Sequence, residues 1–136
     1  MKIKLLMIED SPFLRKRLVT MLSEIEEVEI VGQAESGEEG LELLERFEPK
    51  IVLLDLLMPG RNGLETLIEI RKRNLWCVVI VLSNYNSREI RDACLRAGAN
   101  FFFNKSREFE QAAEIVKSIA SLVKLPEVSA DALREL

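Results

Sequence analysis

Five residues stand where apolar runs of the chain give out: Glu9 and Asp10 after the first, Asp55 after the third, Ser83 after the fourth and Lys105 just past the fifth. Singly, each has an ordinary use, the acids and Ser83 as turn or cap residues and Lys105 as a solvated charge. If the runs are neighbouring strands of one sheet, the three acids converge and their repulsion calls for a compensating cation. Oxygen donors without Cys or His select Mg2+, Mn2+ or Ca2+ over zinc, and a few carboxylates with several waters suit Mg2+ best. An aspartate beside such a cation and an ammonium can accept a phosphoryl group, because both neutralise the equatorial oxygens. Being already ionised, it needs no general base.

That last point matters in a chain with no histidine among its 136 residues. Ser-His and Cys-His nucleophile pairs, histidine-ligated zinc and phosphohistidine are all excluded. Cys77 and Cys94 lie singly inside apolar stretches and read as buried thiols in a reducing compartment, not as a disulfide. With 19 Lys+Arg against 23 Asp+Glu, the net charge of −4 argues against binding nucleic acid or an anionic membrane. The 48% apolar and 31% charged content is that of a soluble globular protein, and the length suits one domain. No apolar run is long enough to span a bilayer, and Met1-Lys2-Ile3-Lys4 leads at once to acidic residues, so a cytoplasmic location is expected.

The positioning elements alternate. Apolar runs at Ile3 to Ile8, Val28 to Ala34, Ile51 to Leu54, Val78 to Leu82 and Phe101 to Phe103 are separated by stretches of helical period. The third and fourth runs show no polar alternation, as expected of central parallel strands covered on both faces. Leu14, Leu18, Met21, Leu22 and Ile25 mark the first helix, and Leu41, Leu44 and Phe47 the second. Leu64, Leu67 and Ile68 mark the third; Ile90, Ala93, Cys94 and Ala97 the fourth; and Phe109 to Val123 the fifth. Ser11 before Pro12, and Ser36 with Glu39, signal helix starts, while Gly98 suits a left-handed helix end. The alternation predicts right-handed crossovers and a doubly wound five-stranded parallel α/β sheet with five helices. In such sheets ligands bind outside the carboxyl ends of the strands, where the five residues fall.

Other phosphate sites lack their residues. The first strand is followed by Glu9-Asp10-Ser11-Pro12, neither a Walker loop nor a dinucleotide glycine motif, and too acidic for an FMN phosphate. Glu9-Asp10, Asp55-Leu56-Leu57-Met58-Pro59-Gly60 with Gly63, Ser83, Ala97-Gly98-Ala99 and Lys105, in that order, resemble the receiver domain of two-component response regulators. The resemblance runs from Lys2 to Lys124 and implies a flavodoxin-like (βα)5 receiver fold over residues 1–124, with 125–136 a short tail or linker stub.

It implies further that Asp55 is the phosphoacceptor, served by a sensor histidine kinase, a histidine phosphotransfer protein or a small acyl phosphate. Mg2+, with Mn2+ as a substitute, would be bound by Asp10, Asp55 and the Leu57 carbonyl, and by Glu9 through water. Lys105 would pair with Asp55 at rest and with a phosphoryl oxygen afterwards. Ser83 would move toward the phosphoryl group, and Phe102 would turn from exposed to buried in the space it leaves, changing the surface of the fourth helix, fifth strand and fifth helix that a downstream protein reads. A core role for Phe102 is the bland alternative. Arg88, Arg91 and Arg96 on the fourth helix are candidate contacts for an acidic partner or ordinary solvated charges, and phosphorylation-linked homodimerisation is a further family behaviour.

Three departures stand out. Ser106 replaces the proline usual after the lysine, Phe102 lacks the frequent tyrosine hydroxyl, and Leu57 and Tyr85 are bulky where the water that attacks the acyl phosphate would pass. The chain therefore reads as a stand-alone receiver or one cut from a longer regulator, and as a switch capable only of autophosphorylation from a donor and self-dephosphorylation. A phosphatase of the haloacid dehalogenase type would need an acid two positions after its nucleophile, where this chain has Leu57.

Overall fold

Strands whose side chains are apolar on both sides must be covered on both sides, and that requirement sets the architecture. The computed structural model describes residues 2–56, 62–85 and 87–123. The elements run β1 (Ile3–Ile8), α1 (Pro12–Leu22), β2 (Val28–Ala34), α2 (Gly37–Phe47) and β3 (Ile51–Asp55). They continue α3 (Gly63–Arg73), β4 (Val78–Ser83), α4 (Arg88–Arg96), β5 (Phe101–Asn104) and α5 (Phe109–Val123). All pairings are parallel and the strand order is β2-β1-β3-β4-β5. The expected fold is therefore the observed one, with β3, β4 and β5 each running one residue further than their apolar runs.

Alternation divides the strand residues between two cores. Ile3, Leu5, Met7, Ile51, Leu53, Val78, Ile80 and Leu82 face α1 and α5, meeting Leu18, Leu22, Phe109, Ala112, Val116 and Ile119. Leu6, Ile8, Val52, Leu54, Val79, Val81 and Phe102 face the other way, toward Leu41, Leu44, Leu67, Ile70 and Cys94. Burying each such side chain contributes about 1.5–3 kcal/mol against chain entropy. Both cysteines are buried as free thiols. No helix among the described residues is long and apolar enough to cross a membrane. Val123 is the last described residue, so the tail expected at 125–136 lies outside them.

Helix ends follow their local signals. The amide of Leu14 donates to Ser11 Oγ ahead of Pro12, and that of Glu39 to Ser36 Oγ. Gly98 closes α4 with φ +111, in the left-handed expectation. At Gly63 the constraint is space: its amide donates to Leu56 O at 2.9 Å, and a Cβ there would meet the Leu56 Cα and come within 2.7 Å of Asp55 O. The first turn of α3 thus rests directly on the end of β3, beside one of the five candidate residues. Gly63→Ala should lower unfolding stability by about 1–3 kcal/mol, because backbone rather than a flexible side chain must move. Denaturant unfolding with an unchanged m-value checks this.

Candidate functional site

Strand alternation also selects which polar residues meet. Continuing the α1/α5-facing series to the strand ends and just beyond leads from Met7 to Glu9, from Leu53 to Asp55 and from Phe103 to Lys105. The Lys105 ammonium lies 2.8 Å from Glu9 Oε1 and 3.1 Å from Asp55 Oδ1. Glu9 and Asp55 are both 3% exposed. Asp10 completes the group: one oxygen from each of Glu9, Asp10 and Asp55 falls within 4.8 Å of the others. The expected convergence of three acids and a lysine is present, and the cation offsetting their repulsion at rest is Lys105 itself. Its contact with Glu9, closer than that with Asp55, was not expected.

Burial pushes the Glu9 carboxyl up to about 7, with the Asp55 charge adding to the rise and the Lys105 hydrogen bond opposing it. For Lys105, burial works against the charged form, yet the hydrogen bond to Glu9 and the charges of Asp55 and Glu9 outweigh it and raise the ammonium pKa. Lys105 therefore stays charged. The donor set is oxygen only and lies within the span of one hard cation, so the acids fit Mg2+ or Mn2+. Leu57, expected to add a backbone carbonyl, lies outside the described residues.

The loop bearing Glu9 and Asp10 is tied down by α1. The Ser11 amide donates to Glu9 Oε2 at 3.1 Å. Arg15 Nη1 donates to the carbonyls of Glu9 and Asp10 at 2.8 and 3.1 Å, and Nη2 meets Glu35 at 3.1 Å. Arg15 was not among the candidate residues; its sequence signal, an arginine one turn into the helix that follows the acid pair, is masked by the adjoining Lys16 and Arg17.

Ser83 and Phe102 belong to the opposite face. Ser83 is fully buried, and its Oγ accepts from the Tyr85 amide at 3.0 Å. Tyr85 itself is half exposed. Phe102 is 4% exposed and packed in the second core. Arg91 covers it, its guanidinium 5.3 Å from the ring centroid and Nη2 donating to the Phe102 carbonyl at 3.1 Å. So the ring is inward while Ser83 is still turned to its own loop, and Arg91, a candidate partner contact, is occupied by Phe102. Arg88 stays on the solvated face, 3.9 Å from Asp92.

The loop after β5 solves the missing proline with an asparagine. Asn104 Oδ1 accepts from the amides of Ser106 and Arg107, both at 2.9 Å, the Asn104 amide donates to Glu108 Oε1, and the Glu108 amide returns to Asn104 O. Ser106 Oγ also reaches Asn84 Oδ1 at 2.9 Å, joining this loop to the one after β4. An Asx turn thus sets the backbone that carries Lys105.

A family model described as response regulator receiver domain matches residues 5–117. The nitrate/nitrite response regulator protein NarL of Escherichia coli (strain K12) is 40% identical over 106 residues, covering 78% of this chain and 49% of NarL. The chain spans about half the length of this and a second curated relative, the probable C4-dicarboxylate response regulator DctR of Bacillus subtilis, 34% identical. Among solved structures, the signal receiver domain of the NarL regulator from Mycobacterium tuberculosis has a TM-score of 0.80 at 29% identity, covering 88% of this chain and 97% of that one. The CheX-CheY-BeF3-Mg2+ complex from Borrelia burgdorferi matches with a TM-score of 0.79 at 27% identity, covering 86% and 88%.

The raised Glu9 pKa fixes a pH dependence. From the ordinary 4.5 up to about 7 the folded chain holds a proton the unfolded chain releases, so this carboxyl's contribution to stability declines as pH rises through that window. A divalent cation needs the ionised form, and its affinity runs the opposite way. Mg2+ should bind the metal-free protein about three- to tenfold more tightly at pH 8 than at pH 6, and Glu9→Gln should flatten the difference. Calorimetric titration checks it; equal affinity at both pH values in the native protein contradicts it.

Proposed function

The chain belongs to the response regulator receiver domain family, and from that premise we propose that it is a phosphorylation-dependent switch of a two-component system or phosphorelay, with Asp55 as phosphoacceptor. The observation that carries this reading is one ammonium set between two buried carboxylates, with a third adjoining, at the carboxyl edge of the sheet. Mg2+, or Mn2+ in its place, would be held by Asp10, Asp55 and the Leu57 carbonyl, and by Glu9 through water. When bound, it supplies positive charge against the phosphoryl oxygens.

An Asp55 oxygen forms the new O–P bond as the P–N bond of a partner's phosphohistidine breaks, its electron pair passing to that imidazole. Lys105 exchanges its resting carboxylates for a phosphoryl oxygen. Ser83 leaves the Tyr85 amide and donates its hydroxyl to the phosphoryl group, drawing the loop after β4 inward. Only contacts that differ between two states can shift an equilibrium, and Ser83 supplies the difference. Because Phe102 is already inward, the altered surface of α4, β5 and α5 arises around a buried ring, with the Arg91 clasp as part of what rearranges.

The donor is a sensor histidine kinase or histidine phosphotransfer protein, and the reader a downstream protein at the α4-β5-α5 surface, with a phosphorylation-linked homodimer as a second output. Neither nucleic acid nor membrane is a direct partner, and the working location is the cytoplasm. Residues 1–124 are the receiver unit and 125–136 a short tail or linker stub. The chain acts as a switch, without turnover of a separate substrate.

Incubation with Mg2+ and acetyl phosphate should add one phosphoryl mass to the native protein and none to Asp55→Asn, read by intact mass. In the same assay, replacing Leu57 and Tyr85 together by asparagine should speed decay of the adduct. No adduct from acetyl phosphate and none from a phosphorylated histidine domain would overturn the reading.

A further inference from the structure

The stretch from Glu9 to Ser11 lies between β1 and α1, outside both the strand ladder and the helix. Side chains on such a stretch aim only as well as their backbone is held. Two consecutive carbonyls of that backbone, those of Glu9 and Asp10, accept from the same Arg15 nitrogen at 2.8 and 3.1 Å. The second terminal nitrogen pairs with Glu35, just past β2, so one guanidinium joins the β1–α1 loop to the β2–α2 loop. Its side chain is 13% exposed. A planar fork with several fixed donors can serve three acceptors at once; an ammonium at the same place has less reach.

From these contacts we infer that Arg15 is a positioning residue for the metal-binding carboxylates of Glu9 and Asp10, acting through their backbone and touching neither metal nor phosphoryl group. The inference rests on the metal reading of the preceding subsection. Two effects of Arg15 have opposite signs. As a bare charge it would repel a divalent cation, so removing it would tighten binding. As a clamp it holds the loop in its ligating shape, so removing it weakens binding. Glu35, at 3.1 Å, already offsets much of the charge, which leaves the clamp as the larger effect. Groups that orient metal ligands typically cost about 10–100-fold in affinity when removed.

The test is calorimetric titration of the metal-free native protein, Arg15→Met, Arg15→Lys and Glu35→Gln with Mg2+ alone. Arg15→Met should bind about tenfold more weakly, Arg15→Lys should fall between it and the native protein, and Glu35→Gln should weaken binding less than Arg15→Met, since it uncovers the Arg15 charge but leaves both carbonyl contacts in place. At saturating Mg2+, adduct formation on Asp55 in Arg15→Met should remain within about twofold of native, a split between affinity and rate that general loss of structure would not produce. Val116→Ala, which opens a cavity under α5 away from the loop, should leave Mg2+ affinity unchanged. Unchanged or tighter binding in both Arg15 variants would overturn the inference, as would equal weakening in Val116→Ala. If the native protein binds no Mg2+, the metal reading falls and this role with it; if it does and the Arg15 variants match it, only this role falls.

Discussion

Three charged groups, two of them almost wholly buried, meet at the carboxyl edge of the sheet, and the Lys105 ammonium between Glu9 and Asp55 is what makes that arrangement tolerable. Taking a charge out of water costs several kcal/mol per ion, and only close, well-directed partners recover it. The remaining geometry of the edge follows from this need. β1, β3 and β5 must end at matching heights, on the same side of the sheet, for one lysine to reach both acids. Compensation is incomplete, since burial, with the Asp55 charge adding to it, raises the Glu9 carboxyl pKa by more than the Lys105 contact lowers it. A site with that deficit is suited to gain a divalent cation and, on the proposed reading, to exchange it and the lysine among carboxylate and phosphoryl oxygens.

The segments that carry the cluster are each fixed by a device of their own. Arg15 ties the carbonyls of Glu9 and Asp10, Gly63 lets α3 settle on the end of β3, and Asn104 gathers the amides of Ser106 and Arg107 beneath Lys105. The loops among them lie outside the ladders, and their backbone groups still need partners. By contrast, among the described residues the loop after β4 is held, beyond the Lys105 amide on the Ser83 carbonyl, by the Ser83 hydroxyl on the Tyr85 amide and by the bridge from Ser106 to Asn84. The acids and lysine are clamped, whereas Ser83 can exchange its partner by rotating one side chain. That contrast is what a switch requires: a rigid reacting centre beside a loop with a second set of contacts within reach.

Much of this was readable in the residues. Ile51-Val52-Leu53-Leu54 and Val78 to Leu82 read as central strands, and β3, which ends in Asp55, and β5, which leads to Lys105, bring an acid and an ammonium together across the end of the intervening β4. Ser11-Pro12 and Gly98 marked helix ends through backbone chemistry alone. Face parity carries the Glu9 to Lys105 contact as well, because Glu9, Asp55 and Lys105 continue the same alternating series; reading Lys105 as the partner of Asp55 alone missed it. Phe101-Phe102-Phe103 was opaque for the opposite reason, since an apolar residue at every position hides which face each takes. The Arg91 clasp depends on groups brought together by folding, and spacing carries no trace of it; the Asn104 turn is local, reaching only to Ser106 and Arg107, and an asparagine at a strand end is its signal.

Lys105 neutralises the acid cluster at rest, and on the proposed reading a divalent cation can take over part of that task. Unfolding free energies of native protein and Lys105→Met, each with and without Mg2+, measure this directly. Without metal, Lys105→Met should be less stable by about 3–5 kcal/mol, the usual cost of stranding a buried charge, and Mg2+ should restore more to the variant than it adds to the native protein. A variant as stable as the native protein without metal, or one that Mg2+ leaves unrescued, would contradict the claim.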